Sequence, residues 1–139
     1  MIVIDASAIV DYLLEFEPQA SWAAEHMAGA GSLHAPHAVD VEVLATFRRR
    51  VLGSQLSAAR ARAALDDFHA LPIRRYPQKP FLERAWELHA NLRVPDALYA
   101  ALSEVLDAPL VTTDQRLVGA PGLRAEIIAF PDELPGRSD

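Results

Sequence analysis

The residues that most constrain this chain are Ile2-Val3-Ile4-Asp5-Ala6-Ser7. Three β-branched residues in a row, with no polar alternation, describe a short strand buried on both faces, as in a parallel sheet covered by helices. The run ends on a carboxylate, and Ser7 is placed to start the helix that follows. Open α/β sheets bind ligands beyond the carboxyl ends of their strands. Asp5 therefore reads as the centre of an acidic, metal-binding site, to which later segments must bring further acids.

The rest of the chain alternates in the same way. Ile9, Val10, Leu13 and Leu14 give an apolar helical face after Ser7, and Pro18 punctuates it. Helices are expected over Gln19 to Ala28, Ala38 to Leu52, from Ser57 as a cap to Pro72, Phe81 to Leu92, and Pro95 to Leu106. Strands are expected at Ser32 to Ala35, Ile73 to Tyr76, Pro109 to Thr113 and Leu123 to Ile128. This order argues for an α/β fold, with a mainly parallel sheet covered on both faces. The 139 residues suit one domain, 1–139, with a loose tail from about 131.

Composition narrows the chemistry. The chain has no cysteine, so a metal must be held by oxygen or imidazole; the absence also fits a cytosolic protein. No apolar run reaches the roughly 18 residues of a membrane span, and the early Asp5 disfavours a secretion signal. The net charge of −6 excludes a surface that attracts nucleic acid as a whole. Lys79 is the only lysine, and Arg48, Arg49, Arg50, Arg60, Arg62, Arg74 and Arg75 crowd the middle of the chain. Such a group is either a solvated helix face or a site for phosphates and carboxylates. Histidines 26, 34, 37, 69 and 89 lack metal-ligand spacing, and His34 and His37, flanking Pro36, are expected in loops or on the surface.

Three more acids are candidates to meet Asp5. Glu42 lies among Val39, Val41 and Val43, where a carboxylate is costly unless paired, metal-bound or at the helix edge. Asp40 is its rival, but two residues turn through about 200° on a helix. Asp40 then sits where it can cap, and Glu42 lies at the margin of the core face. Asp96 follows Pro95 and, taken alone, reads first as a plain N-cap and only then as a site residue. Asp114 closes the buried strand expected over Pro109-Leu110-Val111-Thr112-Thr113, as Asp5 closes its own, and it too has a possible capping role. Carboxylates crowded at one sheet edge repel one another unless a cation lies between them. Asp5, Glu42, Asp96 and Asp114 together suit Mg²⁺ or Mn²⁺, hard ions that take oxygen ligands.

The runs Ile2-Val3-Ile4-Asp5-Ala6-Ser7-Ala8, Val41-Glu42-Val43-Leu44, Asp96-Ala97-Leu98-Tyr99 and Leu110-Val111-Thr112-Thr113-Asp114-Gln115-Arg116-Leu117 resemble, in order and spacing, a PIN domain. The resemblance is to the VapC toxins of bacterial toxin–antitoxin pairs. It implies a three-layer α/β/α sandwich with a short parallel sheet, a Mg²⁺- or Mn²⁺-dependent endoribonuclease, a homodimer, and a VapB-type antitoxin partner. The family's acidic quartet falls on Asp5, Glu42, Asp96 and Asp114 as catalytic residues and metal ligands, and Ser7 and Thr112 match supporting hydroxyls. Pro95 departs from the polar or aromatic residue found there in relatives. Rival readings are a haloacid-dehalogenase-like phosphohydrolase, which needs a second Asp where Ser7 stands, a receiver domain, which needs adjacent acids and a late lysine, and a PIN-like module acting only through partner binding.

Overall fold

The structure, a computed structural model, describes residues 1–131. Its central strand is β1, Ile2–Ile4, buried along its whole length. β2 (Leu33–Pro36) and β4 (Leu110–Thr112) pair with it in parallel on either side, and β3 (Ile73–Tyr76) and β5 (Ile127–Ala129) extend the sheet in parallel. The strand order is β3-β2-β1-β4-β5. The chain steps outward from β1 on one side, then returns to β4 on the other. The order therefore reverses between β1 and β4, the place where sheets of this type leave a crevice at their carboxyl edge.

Among the described residues, six helices cover the sheet: α1 (Ala6–Leu13), α2 (Gln19–Gly29), α3 (Ala38–Leu52), α4 (Ala58–Ala70), α5 (Leu82–Glu87) and α6 (Val94–Leu106). α1 to α4 pack against one another, while α5 packs against α6, which lies along β1, β2 and β4. The three-layer α/β/α arrangement expected from the sequence is the one observed. Val3, Ile4, Ile9, Val39, Val43, Leu102, Leu110 and Val111 are completely or almost completely buried between the layers. Each such side chain contributes roughly 1.5–3 kcal/mol through removal from water. No helix among the described residues is long and apolar enough to cross a membrane.

Most element boundaries follow the sequence. α3 has the expected limits, and Ser57 caps α4 by accepting the Arg60 N–H at 3.0 Å. Two elements differ. The single helix expected over Phe81 to Leu92 is a 3-10 turn, Lys79–Phe81, followed by α5, which stops at Glu87. There the His89 ring stacks on Trp86, and both its Nδ1 and its backbone N–H meet the Trp86 carbonyl in a turn. The last strand begins at Ile127 rather than Leu123, because the Arg124 N–H turns to Glu104 Oε1 at 2.9 Å and leaves the ladder. The tail expected to be loose lies, past residue 131, outside the described residues.

Candidate active site

β1 delivers Asp5 to the crevice, and two hydroxyls fix it there. Ser7 Oγ, on the second residue of α1, and Thr112 Oγ1, at the end of β4, each donate to Asp5 Oδ2 at 2.7 Å. Each hydroxyl also accepts a backbone N–H: Ser7 from Thr113 at 3.3 Å, and Thr112 from Asp114 at 3.0 Å. The two strand ends are thus tied to one carboxylate oxygen. Ser7 orients Asp5 from within α1, whose N-cap position is held by Asp5 itself without a side-chain capping bond, and so the expectation that Ser7 starts the helix is corrected.

The other acids arrive by chain direction. α3 leaves β2 at the carboxyl edge, so Glu42, one turn in, stays beside that edge. α6 runs back toward the start of β4, so its first turn, with Asp96, lies at the same edge. Asp114 follows β4 directly. Asp5, Glu42, Asp96 and Asp114 all line one open cavity of about 630 Å³, rimmed by Arg49, Arg50, Arg93 and Arg116.

Burial and mutual repulsion set the electrostatics. Burial raises the Asp5 carboxyl above its usual range, opposed by the Thr112 and Ser7 bonds and aided by the charges of Asp96 and Asp114. Burial also raises Glu42, to about 7, against a smaller opposing contribution from the Tyr99 hydroxyl and with a further push from Asp5 and Asp96. Asp114 moves the other way, because Arg116 bonds its ionised form. Tyr99, completely buried in α6, has its phenol held well above the ordinary value, first by burial and then by the charges of Asp5 and Glu42. Tyr99 Oη and Glu42 Oε1 are both buried, and among the described residues neither has a partner in hydrogen-bonding geometry.

These residues fit a hard divalent cation. The donor set is carboxylate and hydroxyl oxygen throughout, and the orphaned Glu42 Oε1 is a buried acceptor in need of a positive partner. As they stand, no three acids or histidines among the described residues converge to form a ready metal cage. Guanidiniums hold two of the acids instead. Arg93 Nε donates to Asp96 Oδ2 at 3.3 Å, and Arg116 forks onto both oxygens of Asp114.

Several expectations are corrected. Asp96 is not an N-cap: that position is Arg93, and Asp96 lies inside the first turn, almost fully buried and without a capping bond. Asp114 does cap, accepting the Arg116 N–H at 3.0 Å, while also lining the cavity. Asp40 pairs with Arg75 rather than capping α3. His34 is buried in β2 between Tyr76 Oη and Ser32 Oγ, at 2.7 and 2.8 Å, because β3 supplies a polar partner across the strand. Of the crowded arginines, only Arg49 and Arg50 reach the cavity. Two lining or neighbouring residues escaped notice. Asp11 accepts the Thr113 hydroxyl at 2.8 Å, and its four-residue spacing from Ser7 on α1 was the available signal. Tyr99 appeared only within the run Asp96-Ala97-Leu98-Tyr99, with no role of its own.

Strand ends joined at Asp5, with acids from α3, α6 and the end of β4 around one crevice, define a PIN domain. The PIN domain family model matches residues 2–123. The chain is 44% identical to Ribonuclease VapC1 of Mycobacterium tuberculosis over 131 residues, covering 90% of this chain and 94% of that one. It is 40% identical to Ribonuclease VapC12 of the same organism over 127 residues, covering 91% and 97%. In fold it is similar to the crystal structure of VapBC2 from Rickettsia felis bound to a DNA fragment from their promoter, with a TM-score of 0.67 at 15% identity, covering 94% and 100%. The chain belongs to the VapC branch of the PIN domain family.

Proposed function

We propose that this protein is a divalent-metal-dependent endoribonuclease, the toxin of a VapBC-type pair, acting in the cytoplasm and restrained by a VapB-type antitoxin. The observation that carries this reading is the meeting of Asp5, Glu42, Asp96 and Asp114, from four separate segments, around one crevice with an unsatisfied oxygen at Glu42. Mg²⁺ is the expected ion, with Mn²⁺ as a substitute, and the active form is expected to be a homodimer.

Asp5 and Asp96 are the main candidate ligands, with Asp114 beside them binding directly or through water. When bound, a divalent ion supplies a more acidic water and neutralises charge on the phosphate. Ser7 and Thr112 keep Asp5 Oδ2 occupied and so fix the direction of its other oxygen. Glu42, lining the same cavity, would bind a second ion or orient the attacking water. An acidic centre repels RNA, and Arg49, Arg50, Arg93 and Arg116 on the rim offset that repulsion for the phosphate backbone. Single-stranded or loop RNA is the expected substrate, because unpaired bases are the ones proteins read most readily.

The haloacid-dehalogenase alternative asks for an acid at position 7. Ser7 stands there with its hydroxyl committed to Asp5, which leaves no second carboxylate for that chemistry. The test is cleavage of single-stranded RNA by the purified protein with Mg²⁺ or with EDTA, alongside Asp5→Asn. Cleavage is expected only for the parent with Mg²⁺. Cleavage that persists in EDTA, or in Asp5→Asn, overturns the metal reading.

A further inference from the structure

The cavity has its own cation, and the question is what becomes of it when a metal binds. Arg116 Nε donates to Asp114 Oδ1 at 3.0 Å and to Oδ2 at 2.8 Å, and Nη2 adds a further bond to Oδ2. Asp114 Oδ1 also takes the Arg116 backbone N–H. Both oxygens of the carboxylate are therefore engaged, and a metal must compete for the same lone pairs. We propose that Arg116 is an interchangeable counter-ion of the site: it neutralises Asp114 while no metal is present, and turns to an RNA phosphate once one binds. The proposal rests on the reading of the site as a divalent-metal centre.

Three observations support it. First, the guanidinium is free to leave. The Arg116 side chain is 60% exposed, against 20% for Asp114, and among the described residues its guanidinium bonds to nothing else. Arg84 shows what a locked arginine looks like in the same molecule. It is 20% exposed, forks onto Glu104 at 2.8 and 3.0 Å, and is pinned by the Gly122 carbonyl at 2.7 Å. An exposed ion pair costs little to open, and Arg116 is exposed where Arg84 is not. Second, Arg116 lines the same cavity as Asp5, Glu42 and Asp96, so it shares that space with any ion bound there. A divalent ion bound there would repel it from the carboxylates. Third, it stands on the cavity rim with Arg49, Arg50 and Arg93. A displaced guanidinium stays beside the phosphate path, and its fork matches phosphate oxygens as well as carboxylate ones.

The consequence is a division of effects that a purely structural ion pair would not produce. Removing Arg116 removes a competitor for the metal and also removes a ligand for RNA. The experiment compares parent, Arg116→Gln and Asp5→Asn. Mn²⁺ alone is titrated by calorimetry. Binding of a short single-stranded 2′-O-methyl oligoribonucleotide, checked for intactness by gel, is then followed across a salt series with Mn²⁺ present. Arg116→Gln is expected to bind Mn²⁺ about three-fold more tightly or better, the scale of one exposed ion pair. It is expected to bind the oligonucleotide more weakly, with a salt slope shallower by about 0.7, the value of one lost phosphate contact on a single strand. Either an unchanged Mn²⁺ affinity or an unchanged salt slope overturns the proposal. Mn²⁺ uptake that is absent in the parent, or equal in parent and Asp5→Asn, defeats the metal reading beneath it and this proposal with it.

Discussion

Thr112 and Asp5, separated by 107 residues, are joined by a 2.7 Å hydrogen bond from the threonine hydroxyl to Oδ2. The same Thr112 oxygen accepts the Asp114 N–H at 3.0 Å, so one hydroxyl aligns two of the four acids. Thr112 is completely buried. Thr112→Val keeps the shape but leaves the Asp114 N–H without its partner and removes a donor from Asp5. Loss of stability by about 1–3 kcal/mol is expected in urea unfolding, the cost of stranding a buried polar group. Because the lost bond favoured ionised Asp5, its carboxyl should rise further and Mn²⁺ binding should weaken. Thr112→Ser, which keeps the hydroxyl, should recover both. A Thr112→Val protein as stable as the parent would remove the case for this linkage.

Glu42 gives a pH dependence with a definite sign. Its carboxyl is raised from 4.5 to about 7 in the folded protein, chiefly by burial. Between those values the folded chain holds a proton that the unfolded chain has released, so raising the pH favours unfolding. Asp5, raised from 3.8, acts in the same direction. In EDTA, the stability of the parent should therefore fall as pH rises through that window. The Glu42 share is about 1–2 kcal/mol once its partial exposure is allowed for. Glu42→Gln should flatten the slope and melt a few degrees higher than the parent at mildly alkaline pH. Parallel pH profiles for the two proteins would show that Glu42 is not under this strain.

Asp96 separates capping from function. The structure gives it no capping bond, only a contact of 3.3 Å from the mostly exposed Arg93. Asp96→Asn should accordingly cost less than about 1 kcal/mol. It could even stabilise the metal-free protein by easing repulsion with Asp5 and Glu42, both of which feel the Asp96 charge. Mn²⁺ binding and RNA cleavage should drop severely, since the amide lacks the anion a cation needs. Full cleavage by Asp96→Asn would strike this residue from the site.

The sequence made some of this visible and hid the rest, for reasons that differ by residue. Asp5 and Asp114 stood out because each closes a short strand-forming run, and strand ends in an α/β sheet share one edge. Glu42 stood out because a carboxylate among valines needs a reason. Asp11 and Tyr99 did not, because each fits the periodicity of an amphipathic helix. Only the distance to Thr113, or the missing partner of a buried hydroxyl, singles them out. The guanidinium contacts of Arg93 and Arg116 depend on side-chain rotamers, which no spacing rule specifies. His34 was misplaced because a lone imidazole suits water better than a core, whereas it lies in a buried strand and its ring finds Tyr76 across the sheet.

The last prediction concerns restraint by a partner. Arg93 and Arg116 demonstrate that guanidiniums dock on these acids. A partner's arginine can do the same, and a bidentate fork then blocks the position a cation needs. The path to the crevice is marked on the surface. Leu13 is buried, Leu14 and Trp22 are half-buried, and Phe16 is 56% exposed. The Arg50 guanidinium lies 5.3 Å from the centre of the Phe16 ring, and Arg50 itself lines the acidic cavity. Through Arg50, the exposed Phe16 ring between α1 and α2 stands next to the site, an anchor point for an amphipathic partner helix. An antitoxin's C-terminal helix is expected there, with one basic residue reaching the acids. Replacing that residue with alanine should restore RNA cleavage while lowering toxin affinity no more than about ten-fold, since most of the contact is apolar. Phe16→Ala in the toxin should do the opposite, weakening binding while leaving free-toxin cleavage intact. Inhibition that survives removal of every basic residue in the bound helix would mean that the partner works by covering the RNA path instead.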